Sequence, residues 1–178
     1  MEVGGPNPPG PTMWKEIEEY FEDFPAQKKV AQFLLKKGFQ VGEGGKILCG
    51  SVVIPHTNVA KELDLDRRAV DAAARRILKN EKLRDVYENL QCVAFLRDVA
   101  PVLKLGAIVI TAEDASKPGI IGAVTSKIAK HGISIRQTIA DDPYLVDEPK
   151  LTVITNKKIP GKLLEELKKI EGIKNITY

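Results

Sequence analysis

The chain has 178 residues and 43% apolar content, which predicts one or two domains of an ordinary soluble protein. No apolar run approaches the ~20 residues a membrane helix needs, so no spanning helix and no membrane partner are expected. The formal charge is +3, and residues 1–99 contribute none of it, with fifteen basic and fifteen acidic side chains. Two cysteines, Cys49 and Cys92, argue against a disulfide scaffold and for a reducing, cytoplasmic setting. With only His56 and His131 to join them, they also lack metal-site spacing, so neither a metal nor a cofactor is expected.

Residues 1–12 (MEVGGPNPPGPT) are dense in Pro and Gly and predict a disordered tail. Trp14 to Phe24 reads as a helix with Trp14, Ile17, Phe21 and Phe24 on its inner side. Pro25 opens a second helix to Lys37, with Val30, Phe33 and Leu34 inward and Gly38 as its stop. Phe39-Gln40-Val41 and Lys46-Ile47-Leu48-Cys49 flank Gly42-Glu43-Gly44-Gly45, which predicts a hairpin or wing. Gly45-Lys46 is not a phosphate loop. No Gly stands five residues before Gly45, and Ile47 replaces the Ser or Thr that would hold magnesium.

Residues 56–78 read as a helix-turn-helix. Pro55 and Thr57 open a short helix, and Ala60 leaves room for a second helix to cross closely. Leu63 and Leu65 bracket a turn at Asp64, and Asp66 can cap the next helix. Val70, Ala73, Ala74 and Ile77 form that helix's inner stripe. Its other face carries Arg67, Arg68, Arg75 and Arg76, side chains suited to phosphate and guanine contact. The competing reading is a solvated face partnered by Asp66, Asp71 and Glu81, and the neutral N-terminal half favours it. Leu83 to Leu96 predicts a further helix, and residues 97–102 a link between halves, with the boundary near Pro101.

Lys104 to Tyr178 reads as strand–helix–strand–strand–helix–strand. Leu105 to Thr111 is a buried strand, and Ala112 to Lys117 a polar loop. Pro118 then opens a helix with Ile121, Val124, Ile128 and His131 on one face, and Gly132 ends it. A second strand starts at Ile133 and runs to about Ala140, where Asp141-Asp142-Pro143 turns the chain. Lys150 to Thr155 alternates as a third strand. Pro160-Gly161 opens a helix with Leu163, Leu164, Leu167 and Ile170 inward. Gly172 stops it, and a short strand closes the chain.

That order, with Asp114-x-Ser116-x-Pro118-Gly119-Ile120 and a 14-residue step from Pro118 to Gly132-Ile133-Ser134-Ile135, resembles an ACT domain. The resemblance covers Lys104–Tyr178. It implies a ferredoxin-like fold, a homodimer formed through the ACT domains, and an amino-acid pocket. Its loop positions would be Asp114, Ser116, Pro118, Gly119 and Ile120, with Ser134 on the second strand. Ser134 stands where amino-acid-binding members often carry Asn. Helix-start amides after Pro118 suit a carboxylate, Gly119 would let a ligand approach closely, and Asp114 or Ser116 could face an ammonium group. The whole chain is also similar to archaeal ACT-containing proteins described as regulators of amino-acid metabolism, some suggested to act on homoserine dehydrogenase.

The expectation is therefore an α+β protein: a tail over 1–12, a mostly helical, winged-helix-like domain over 13–100, and a βαββαβ ACT domain over 101–178. Two functions stay open: a ligand-responsive DNA-binding regulator, or a regulatory subunit docking on a biosynthetic enzyme. Catalysis is not expected, because the chain has no nucleophile elbow, metal spacing or dinucleotide fingerprint. Asp141-Asp142 and Asp147-Glu148 each precede a Pro and read as turns.

Overall fold

The computed structural model describes residues 13–178, and the tail expected over 1–12 lies outside them. The protein mixes helices with two antiparallel sheets and divides into two compact units between Val93 and Ala94. Among the described residues no helix is long and apolar enough to cross a membrane.

The first unit begins with α1 (Met13–Glu18) and a 3-10 turn (Glu19–Phe21), followed by α2 (Pro25–Lys37). Trp14, Ile17 and Phe21 are buried as the helical spacing requires, whereas Phe24 is exposed. Phe24 instead lies under the Arg76 guanidinium, 3.7 Å from the ring centroid. Gly38 closes α2 in the left-handed region at φ 70°. β1 (Gln40–Val41) pairs with β2 (Ile47–Cys49) across the glycine-rich turn. A third strand, β3 (Val52–Ile54), pairs with β2 and was not foreseen from the sequence. Its three residues are too few for a period-two pattern to register.

α3 (His56–Leu63) and α4 (Arg67–Lys79) follow the hairpin, and α5 (Glu81–Glu88) completes the unit. Val70, Ala73, Ala74 and Ile77 of α4 are all buried. Tyr87 is fully buried and donates its hydroxyl to the Ala31 carbonyl at 2.9 Å, and burial pushes its phenol up. The helix expected to run to Leu96 ends at Glu88. Beyond it, Gln40 Nε2 donates to Glu88 O at 3.1 Å and Cys92 Sγ to Gly38 O at 3.3 Å. These side-chain bonds hold the chain in an irregular path where propensity alone would continue the helix.

The second unit is built on one four-stranded sheet, ordered β5-β6-β4-β7. Its elements are β4 (Gly106–Ala112), α6 (Ile120–Lys130), β5 (Ile135–Ala140), β6 (Lys150–Thr155), α7 (Gly161–Lys168) and β7 (Ile173–Thr177). Ile108, Ile110, Leu151 and Val153 of the sheet pack with Val124 and Ile128 of α6 and Leu163 and Leu167 of α7. The inner face of α6 carries Ile120, not Ile121, which is exposed. The helix starts two residues later than Pro118, and a 3.6-residue repeat counted from Ile120 reaches Val124 and Ile128.

Residues 94–105 belong to this unit, ahead of the boundary expected near Pro101. Gln137 of β5 explains the difference. Its Nε2 donates to Ala94 O at 2.7 Å, and its Oε1 accepts from Leu96 N at 3.0 Å. Gln137 pairs with Ile154 and shares its side of the sheet, opposite the core made by Leu151 and Val153. That side is buried as well, with Ile154 fully covered.

Candidate functional site

The second unit holds a cavity of about 270 Å³ where the β4–α6 loop meets the ends of β5 and β6. Ile110 and Ala112 of β4, Ile120 and Ile121 of α6, Ala140 of β5 and Leu151 of β6 make it mainly apolar. Ser116, Lys117, Asp141 and Lys150 add polar groups.

The loop is shaped by Asp114. Its Oδ1 accepts from Ser116 N at 2.9 Å and from Ser116 Oγ at 2.6 Å, an Asx turn. These bonds hold the Asp114 carboxyl below its usual range. Lys117 Nζ reaches Glu171 Oε1 at 3.0 Å, and Glu113 N donates to Gly172 O at 2.9 Å, tying the loop to the segment before β7. Pro118 precedes the helix, and Gly119 is its N-cap at φ 101°, with no side-chain cap. A Cβ at Gly119 would meet nothing within 4 Å, so its backbone angle demands glycine here, not close approach. The first-turn amides of α6 have no intrahelical acceptors and no capping side chain, and the helix start borders the cavity.

Ser116, Pro118, Gly119 and Ile120 therefore line one cavity, and two expected members stand apart from it. Asp114 shapes the loop without lining the space, its carboxylate engaged by Ser116. Ser134 sits before the far end of β5 and lines a separate shallow concavity with Thr125 and Ala129. Its backbone N–H donates to Asn156 Oδ1 at 3.0 Å, and its carbonyl accepts from Asn156 N at 2.9 Å. Sequence reasoning missed Asp141 and Lys150 as lining residues. From the sequence Asp141 reads as a turn residue, and its position directly after a strand is the signal that it could line a site. Asp141 Oδ2 accepts from Lys150 N at 3.1 Å, which fixes the carboxylate beside the cavity.

The first unit presents the second candidate surface, the α3–α4 pair. Asp64 ends α3 in the left-handed region at φ 53°, the geometry a turn glycine would otherwise supply. Leu65 N then donates to Ala60 O at 2.9 Å. Asp66 caps α4 by accepting from Arg68 N at 2.7 Å. It also pairs with the Arg68 side chain at 3.2 Å, and the Arg68 backbone N–H together with that side chain holds the Asp66 carboxyl low. Arg67 approaches Asp71 at 3.6 Å, and Arg75 is exposed. Arg76 differs from these three. It is half-buried, its Nε donating to Gln27 Oε1 at 2.8 Å while the guanidinium covers Phe24. Arg75, Arg76 and Lys79 line a groove of about 370 Å³ with Tyr20 and Gln27.

Among the described residues no group of three or more His, Cys, Asp or Glu is placed to hold a metal ion. No family model matches the chain, and no curated protein matches it. Among solved structures the chain is similar to one described as "Crystal structure of PH0061", at 14% identity over 85% of this chain and 87% of that one. The TM-score is 0.27, so this likeness carries no weight for fold or function.

Proposed function

We propose that the protein is an amino-acid-responsive regulator of amino-acid metabolism. In this reading the second unit is an ACT domain that senses the ligand, and the first is a winged-helix-like unit that acts on DNA. The observation that carries the sensing role is the uncapped start of α6 beside an apolar cavity. Free amides suit a ligand carboxylate, and the Asp141 carboxylate lining the same cavity suits its ammonium group. The apolar walls favour an amino acid with an apolar side chain. The strand–helix–strand–strand–helix–strand order and the sheet order β5-β6-β4-β7 support the ACT assignment. β5 and β7 are edge strands, which suits pairing with a second copy.

A specific observation favours the second reading, a regulatory subunit that docks on a biosynthetic enzyme such as homoserine dehydrogenase. Val52 and Val53 of β3 are exposed at 65% and 53%, an apolar strand suited to a protein partner. Arg67 and Arg68 also have carboxylate neighbours, which lowers their value for phosphate. The protein is expected to act without catalysing a reaction in either case.

The test is thermal unfolding of the purified chain against a panel of L-amino acids, repeated with Asp141→Asn. A rise in Tm with an apolar amino acid, lost in the variant, supports the sensor. No shift with any amino acid rejects it. Fluorescence anisotropy with DNA from upstream of its own gene and with scrambled DNA then separates the two outputs. Salt-sensitive preference for the upstream DNA selects the DNA-binding regulator, and no binding to either DNA selects the docking subunit.

A further inference from the structure

The only two cysteines of the chain, distant in sequence, come together on the first unit. In the β1–β2 ladder Gln40 opposes Leu48 and Val41 opposes Ile47. Cys49 follows Leu48 at the end of that ladder, where Gly38 and Phe39 lead into Gln40. The irregular segment after α5 returns to the same place. Cys92 Sγ donates to Gly38 O at 3.3 Å, and a Cβ on Gly38 would fall 2.3 Å from Gln91 O. The backbone around Cys92 is thus packed directly on the residue before Phe39. The Cys49 thiol is near enough to perturb the Cys92 thiol. Both are free; Cys92 is exposed and Cys49 partly so, which leaves the pair open to a small reagent.

We propose that Cys49 and Cys92 form a dithiol–disulfide pair, a modification site whose oxidant is a small-molecule disulfide of the glutathione class. The thiolate of one cysteine attacks the S–S bond of the oxidant and releases one glutathione thiolate. The second cysteine's thiolate attacks the protein sulfur of the mixed disulfide, forms the Cys49–Cys92 bond and releases the second glutathione. Two electrons pass from the cysteines to the oxidant. The two protons lost by the protein thiols are taken up by the two glutathione thiolates. The bond joins β2 to the segment through which the chain leaves the first unit, closing a long loop of the unfolded chain. Desolvation, with the neighbouring Cys49 thiol adding to it, pushes the Cys92 thiol up to about 11. Oxidation through Cys92 therefore quickens as pH rises, because the thiolate is the reacting form.

The experiment equilibrates the full chain with a large excess of oxidised over reduced glutathione, then denatures it and alkylates remaining thiols for mass spectrometry. The expected product is a monomer lighter by two hydrogens, with no alkylated cysteine, and with a Tm raised by at least about 5 °C. Cys49→Ser and Cys92→Ser should each lack the internal bond and the rise in Tm. Recovery of both cysteines alkylated or as separate glutathione adducts would overturn the proposal. So would disulfides found only between two chains on a non-reducing gel.

Discussion

The His56 ring bridges the Asp71 carboxylate of α4 and the Gly45 carbonyl of the β1–β2 turn, through Nδ1 and Nε2. Both partners are acceptors, so the ring satisfies both only when both nitrogens carry protons. The bridge fastens the glycine-rich turn to the helix that carries the arginines.

The bridge predicts an acid limit. The hydrogen bond from His56 holds the Asp71 carboxyl below its usual range, with Arg67 and Arg75 adding to the effect. A carboxyl lowered by folding stabilises the native state above its unfolded pKa, and that contribution is lost as pH falls through the folded value. His56→Ala should raise the Asp71 pKa seen by NMR titration and move acid unfolding to higher pH. An unchanged Asp71 titration would show that the histidine does not set it.

Arg75 and Arg76 are neighbours in sequence with different expected roles. Arg76→Ala removes the hydrogen bond to Gln27 and the stacking on Phe24, and should cost about 1–2 kcal/mol in urea unfolding. Arg75 is exposed, and Arg75→Ala should change stability by less than about 0.5 kcal/mol. Equal effects in the two variants would contradict this division.

On the DNA-binding reading, Arg68, Arg75 and Lys79 share the outward face of α4. Changing each to Ala should lower the slope of log K against log salt by roughly one for each lost phosphate contact. Anisotropy at several salt concentrations measures it. Arg76→Ala should alter the slope least, because its guanidinium already serves Gln27 and Phe24. Slopes unchanged in the first three variants would move any DNA surface elsewhere.

Two glycines at the start of α6 should respond with opposite sign. Gly119→Ala forces a side chain onto φ 101° and should destabilise the protein by about 1–2 kcal/mol. Gly122 lies inside the helix, and a Cβ there would meet nothing within 4 Å. Gly122→Ala should therefore stabilise by about 0.5–1 kcal/mol. Calorimetry of both variants checks the pair, and the same sign in both would refute the backbone argument.

The sequence alone determined the elements whose signals are local. The apolar stripe of α4, the left-handed stops at Gly38 and Gly132 and the cap at Asp66 each follow from residues within one or two turns, whereas β6, expected to alternate, is buried on both faces from Leu151 to Thr155. The α3–α4 turn was legible too, because Asp64 tolerates the geometry it adopts. Tertiary structure decided what depends on distant partners. Arg76 reads as a surface charge until Gln27 and Phe24 arrive beside it, and Gln137 as a strand residue until it binds Ala94 and Leu96. The candidate pocket divides the same way. Ser116, Pro118, Gly119 and Ile120 are contiguous and were legible, whereas Asp141 and Lys150 join them only because β5 and β6 pair and end at that loop. Ser134 enters the expected site only through the family resemblance, and in the chain it lies at the opposite end of β5 from the cavity. Local periodicity fixes which way a residue faces on its own element. It carries no information on which distant groups complete the environment, because those contacts form only when the chain folds back on itself.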